Sequence, residues 1–359
     1  MTSTRGVSND CKNSQLTSYP FPYPPIEPYR EGYLEVSRLH RVYYEISGNP
    51  EGLPICFIHG GPGGGTSPAH RSFFDPVVYK IVLFDQRGCG KSQPFACLEE
   101  NTTWDLMDDM ERVREAAGID RWVLFGGSWG STLAVAYAQE HPNRVIGMIL
   151  RGIFLARESE IEWLYGRNGA AMLFPEAHEA YIAGLPEEVR DSDDMIEAYY
   201  NLLAQENNSE ERRLAANSWS NWERTLSTFP RPERNDDQTA DDGEEVKSDN
   251  GDEENLAFAR IEAHYFFNKV FLKEDGYLLK ESQMRKIKHI KTCIVQGRWD
   301  FVCPRKSSHD LAQMMSPDCV DVVIVENAGH STFEPGIEAA LLDATDSFGR
   351  EFGSLRANR

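Results

Sequence analysis

Basic charge is scarce in this chain, and long apolar runs are missing. Its 359 residues carry 37 Lys and Arg against 57 Asp and Glu, a formal net charge of −20. That balance leaves no basic face for nucleic acid or an anionic membrane surface, so neither is expected as a partner. No apolar run approaches the ~18 residues a membrane-spanning helix needs. The seven cysteines, at 11, 56, 89, 97, 293, 303 and 319, never fall in CxxC spacing. An odd, dispersed set predicts reduced thiols and a cytoplasmic location, not a disulfide frame. The opening MTSTRGVSNDCKNSQLTSYPFPYPP lacks the apolar core of a secretory signal and reads as a flexible leader over 1–17. The sequons at Asn101 and Asn207 then carry no meaning. No internal repeat is present.

Much of the negative charge is local. Residues 231–255 hold eleven acidic and three basic residues. Such a stretch has too little apolar surface to offset its ordering entropy, so it reads as a disordered surface loop.

What is present is an alternation. Residues 33–47 (YLEVSRLHRVYYEIS) suggest a strand hairpin. Short apolar runs follow at 55–59 (ICFIH), 81–85 (IVLFD), 122–126 (WVLFG), 145–152, 292–297 (TCIVQG) and 322–327 (VVIVEN). Between them lie helical patterns, at 104–119 with Leu106, Met110, Val113 and Ala117 on one face, and at 131–141 before Pro142. A last helix is expected near 337–352. Buried strands alternating with helices predict an α/β fold, a mostly parallel sheet with helices on both faces. The pattern lapses between 154 and 285, where tryptophan, tyrosine and charge dominate. The core therefore spans 18–153 and 286–359, interrupted by a mainly helical insertion over 154–285.

The chemistry centres on GGSWGS at 126–131. Ser128 follows a strand and precedes a helix, with Gly126 and Gly130 on either side. That is the setting of a G-x-S-x-G nucleophile elbow, a turn too tight for side chains that exposes its serine. A serine hydroxyl needs a base, and the base an orienting acid, in the order Ser, Asp, His. Asp300 in GRWDFVCP and His330 in NAGHS each follow a late strand, so both fall on the sheet edge that carries Ser128. Asp310, Asp321, His309 and His264 are the competitors, placed in helices, at a strand start or in the insertion. The oxyanion donors expected are the N–H of Trp129 and one from the early loop HGGPGGG, Gly61 or else Gly60. No GK[ST] follows that loop, which speaks against phosphate binding. Asp85, Arg87 and Ser92 in DQRGCGKS are expected to brace it.

At these residues the chain resembles the proline iminopeptidases, serine peptidases of the α/β-hydrolase fold. HGGPGGG, DQRGCGKS, GGSWGSTLAVAYAQEHP, LRGIF, WSNWE, ARIEAHYF, GRWDFVCP and AGHS match that family's blocks in order, over roughly residues 18–352. The resemblance implies removal of N-terminal proline from peptides, without metal or cofactor, under an inserted cap. It implies that Glu223 and Glu262 bind the terminal ammonium, and that Phe154, Cys303 and Tyr165 line the proline slot. Two departures stand out: Ala263 replaces the usual Asn, and the acidic stretch is an added loop. A carboxylesterase or amide hydrolase of the same fold is the alternative; it would keep the triad without needing the glutamates.

Overall fold

The computed structural model describes residues 22–206, 210–227 and 251–353. The leader 1–17 and residues 231–250 of the acidic stretch lie outside these.

Eight strands form one sheet: β1 (Arg30–Glu35), β2 (Arg41–Gly48), β3 (Leu53–Ile58), β4 (Tyr79–Phe84), β5 (Trp122–Ser128), β6 (Val145–Ile153), β7 (Lys291–Gly297) and β8 (Val320–Val325). Their order is β1-β2-β4-β3-β5-β6-β7-β8. The expected hairpin is β1 and β2, antiparallel to each other, and β2 also pairs antiparallel with β4. Every pairing from β4 to β8 is parallel. A parallel sheet must be covered on both faces, so its strands read as unbroken apolar runs. β3 is buried at every position.

The helices are α1 (Thr103–Ala116), α2 (Trp129–Glu140), α3 (Glu158–Tyr165), α4 (Pro175–Ala183), α5 (Met195–Leu203), α6 (Glu210–Ser227), α7 (Gly251–Phe267), α8 (Glu281–Ile287), α9 (Lys306–Met314) and α10 (Pro335–Gly353). α1 begins at a capping box, in which Thr102 and Asp105 satisfy each other's backbone N–H. α2 is buried continuously from Trp129 to Gln139. A helix apolar on all sides has to be covered on all sides. One face of the sheet packs on α1, α2 and the insertion; the other packs on α10 and the Pro68–Phe73 turn.

The insertion between β6 and β7 supplies α3 to α7, all helical. α6 and α7 run side by side in the same direction: Asn217 meets Asp252 and Asn255, and Trp219 meets Glu262. Two details differ from the sequence reading. Gly251–Asn255, the end of the acidic stretch, is the first turn of α7, where three acidic side chains at 252–254 suit the positive helix end. The expected boundary at 285 falls inside α8, which packs on α2: the Gln139 amide reaches Leu278 O at 2.7 Å and Met284 Sδ at 3.7 Å. The chain is already back on the core by Val270, whose carbonyl accepts from Thr103 Oγ1. Among the described residues no helix is long and apolar enough to cross a membrane.

Candidate active site

Ser128 is the last residue of β5 and caps α2. Its backbone sits at φ +55° and ψ −127°. Such a conformation costs a non-glycine residue about 1–3 kcal/mol and persists only when its surroundings impose it. They do so here through two glycines. A Cβ on Gly126 would strike the Gly130 carbonyl, and one on Gly130 would strike the Ile58 carbonyl. Strand and helix approach too closely for side chains, and the serine is turned outward.

Asp300 and His330 leave the ends of β7 and β8 and meet. His330 Nδ1 lies 2.9 and 3.0 Å from the two Asp300 oxygens. Asp300 also accepts from the backbone of Val302 (3.1 Å) and Cys303 (2.7 Å) and from Gln296 Nε2 (3.1 Å). This buried carboxylate is fully satisfied and therefore rigid. His330 Nε2, the nitrogen aimed away from Asp300, faces Arg151 Nη1 at 3.0 Å. Ser128 lies beside the Cys303 thiol.

Arg151, near the end of β6, was not singled out from sequence. It is partly buried, donates to Thr332 Oγ1 at 2.6 Å, and leaves its Nε without a partner. Burial lowers its pKa. It lies so close over the elbow that a Cβ on Gly127 would come within 2.5 Å of it. An arginine inside the apolar strand run that ends in LRGIF is the local signal that could have marked it.

The glycine loop after β3 lies against the elbow: a Cβ on Gly60 would stand 3.6 Å from Ser128 Cβ. Gly61 has φ +106°. Of the expected braces, Asp85 reaches the end of the loop, Ser92 holds Asp85, and Arg87 turns to α1 instead. Asp85 accepts from Thr66 N and Oγ1, both at 2.7 Å, and from Lys91 N at 2.8 Å. Ser92 Oγ donates to the Asp85 carbonyl at 2.6 Å. Arg87 forms a two-pronged pair with Asp109 at 2.6 and 2.8 Å.

Cap and core meet above the elbow. The Ser227 carbonyl, at the end of α6, accepts from the backbone N–H of His330 and Ser331. The Tyr265 ring on α7 packs edge-on to Trp129 at 5.0 Å. Glu223 and Glu262 are brought together from these two helices, close enough for each to bear on the other's ionisation. Burial pushes Glu223 up to about 6. It pushes Glu262 up well beyond its ordinary value, helped by the neighbouring Glu223 charge. Trp219 Nε1 donates to Glu262 at 2.7 Å.

Tyr165 lies in this cluster: its hydroxyl donates to Glu223 and its ring packs 4.4 Å from Trp219. Phe266, also unmarked by the sequence reading, packs 5.5 Å from Tyr165 and 5.8 Å from Phe154. Phe154 and Cys303 are both buried, and burial pushes the Cys303 thiol well up. The competing residues are engaged elsewhere. Asp310 pairs with Arg157 and Lys306, Asp321 pairs with Lys291, and His264 Nε2 faces the Asn101 carbonyl. His309 lies within α9.

Comparison with known proteins agrees with this architecture. The family model described as alpha/beta hydrolase fold matches residues 54–336. A protein of Leptolyngbya boryana named as a probable proline iminopeptidase is 51% identical over 326 residues, 91% of this chain and 96% of its own length. The proline iminopeptidase of Arabidopsis thaliana is 50% identical, covering 90% of this chain and 81% of its own. Among solved structures, a proline iminopeptidase from Mycobacterium smegmatis aligns with a TM-score of 0.54 at 16% identity, over 90% of this chain and 99% of its own. An esterase from Rhodococcus aligns at 0.57 and 16%, over the same shares, so the structural likeness speaks for the fold alone. With half its residues shared along nine-tenths of its length, this chain belongs to the proline iminopeptidase family of α/β hydrolases.

Proposed function

We propose that the chain is a serine exopeptidase that releases N-terminal proline from peptides through a prolyl-enzyme intermediate. The carrying observation is the Glu223–Glu262 pair, two carboxyls from separate cap helices held together in an aromatic cage above the elbow. Such a pair has no use in a general esterase, but it suits a terminal ammonium. A charge pair at 4 Å is worth about 4 kcal/mol at an effective dielectric near 20. Phe154, Tyr165, Phe266 and Cys303 form the apolar surround for the pyrrolidine ring.

Ser128 Oγ attacks the prolyl carbonyl and His330 Nε2 takes its proton. Asp300 holds the tautomer and stabilises the imidazolium. The carbonyl oxygen, now negative, rests on the N–H groups of Trp129 and Gly61. His330 then protonates the leaving amine, the shortened peptide departs, and water repeats the sequence on the ester. The Arg151 guanidinium faces His330 Nε2 at 3.0 Å, and that contact has to give way before Nε2 takes the serine proton. The cap limits access to one terminal residue. Six free cysteines among the described residues fit a reducing, cytoplasmic setting.

The test compares proline β-naphthylamide, its N-acetyl form and alanine β-naphthylamide, with wild type and Ser128→Ala. Fast cleavage of the free prolyl amide alone, abolished in the variant, is expected. Equal cleavage of the acetylated amide would remove the ammonium anchor and leave a general amide hydrolase.

A further inference from the structure

The glycine loop that supplies one oxyanion donor has almost no side chains with which to hold itself. Gly61, Gly63 and Gly65 all have positive φ, at 106°, 104° and 72°. A loop of this kind has high conformational entropy, and its geometry must be imposed from outside. A donor displaced by a fraction of an ångström loses much of its electrostatic value.

The outside support converges on Gln86. This residue follows β4, is 2% exposed, and turns its side-chain amide and its backbone N–H toward the two oxyanion segments. Its side-chain Nε2 donates to the His59 carbonyl at 3.0 Å. Its Oε1 accepts from Trp129 Nε1 at 2.8 Å. Its backbone N–H donates to His59 Nε2, also at 3.0 Å. His59 opens the glycine loop, and its ring spans it: Nδ1 lies 2.9 Å from the Gly60 carbonyl and 3.1 Å from the Gly65 nitrogen. Backbone N–H groups therefore point at both ring nitrogens, Gln86 at Nε2 and Gly65 at Nδ1, and Nδ1 also faces the Gly60 carbonyl. One connected chain therefore runs Trp129–Gln86–His59–Gly60, from the elbow to the loop. All three side chains in it are buried.

We propose that Gln86, acting through His59, is a positioning residue that sets the spacing of the two oxyanion donors. It touches no reacting atom. Its effect is felt in the transition state, where the oxygen is negative, and hardly at all when a neutral or product carboxyl group occupies the site. The inference rests on the oxyanion assignment above. Burial lowers the pKa of His59, which is consistent with a neutral ring.

Two ligands separate positioning from plain structural support. Prolineboronic acid forms a tetrahedral adduct on the serine and places an oxygen in the hole; proline does not. In wild type the boronate binds tighter by about a hundredfold or more. In Gln86→Leu that advantage shrinks by about tenfold or more, while the proline Kd, read by calorimetry, stays within about twofold. Trp129→Phe, which removes only the indole N–H from the chain, shrinks it in part. The double variant loses little beyond Gln86→Leu, because both act through one connection. If Gln86→Leu does not fold, Trp129→Phe carries the test. An unchanged boronate advantage in these variants overturns the clamp, as does a parallel fall in both affinities. A wild-type enzyme that binds boronate no tighter than proline overturns the oxyanion assignment itself.

Discussion

Replacing Glu223 by Gln should weaken catalysis and strengthen the fold, with both effects tied to pH. Glu223 is partly accessible, Glu262 is buried, and burial raises both carboxyls, Glu223 to about 6. Glu223 is therefore the carboxyl expected to meet the ammonium, ionising as pH rises through about 6. A carboxyl whose pKa is raised on folding contributes stability that is fully present below its ordinary value, near 4.5. That contribution is lost as pH rises through about 6. The shift corresponds to roughly 1–2 kcal/mol, the lower end allowing for partial exposure. Glu223→Gln should then raise Tm by a few degrees at pH 8 and leave it unchanged at pH 4.5. Catalysis moves the other way. Losing the charge that meets the ammonium costs about 2–4 kcal/mol, a thirty- to thousandfold fall in kcat/KM for proline β-naphthylamide. In wild type, log kcat/KM should climb through pH 6 as Glu223 ionises. It should fall again as the substrate amine loses its own proton. The part of that rise owed to Glu223 should vanish in the variant. A variant within threefold of wild type at pH 7.5 would refute the ammonium anchor.

Three other outcomes follow from the same physics. Arg87→Met strands the buried Asp109 carboxylate, whose pKa is already raised by burial; a loss of about 3–5 kcal/mol is expected in urea unfolding. Cys303 is held as an inert thiol, so a bulky maleimide should inactivate the enzyme slowly at pH 7 and faster at pH 9; inactivation that persists in Cys303→Ser would place the reactive thiol elsewhere. Deleting residues 236–249 should leave kcat/KM within about twofold. α7 starts beside Asn217, ten residues back from the end of α6, a gap of about 15 Å. The nine linker residues that remain reach about 30 Å. A deletion carried through Glu253 should do worse, because it removes the first turn of α7 and the Asp252–Asn217 bond.

Local sequence determined a great deal here. Strand runs, the capped α1, the Pro142 stop and the glycines around Ser128 are all decided by neighbours within a few residues. Such features follow from backbone sterics and from the period of burial, which a linear reading captures. Asp300 and His330 were legible for a related reason: a side chain just past a parallel strand falls on one known edge of the sheet. Glu223 and Glu262 were legible only through a resemblance, since nothing local distinguishes them from solvated helix residues.

Tertiary structure decided the rest, because the partners lie far apart in the chain. Arg151 meets His330 across 179 positions, and Tyr165 meets Glu223 across 58. No periodicity records such encounters. The start of α7 inside an acidic stretch is similar: composition alone favours a loop, and bonds from Asp252 and Asn255 to Asn217 on α6 hold the first turn. The link from Trp129 through Gln86 to His59 was invisible for the same reason. It joins three short motifs that the sequence presents separately and that only the closed sheet brings within 3 Å of one another.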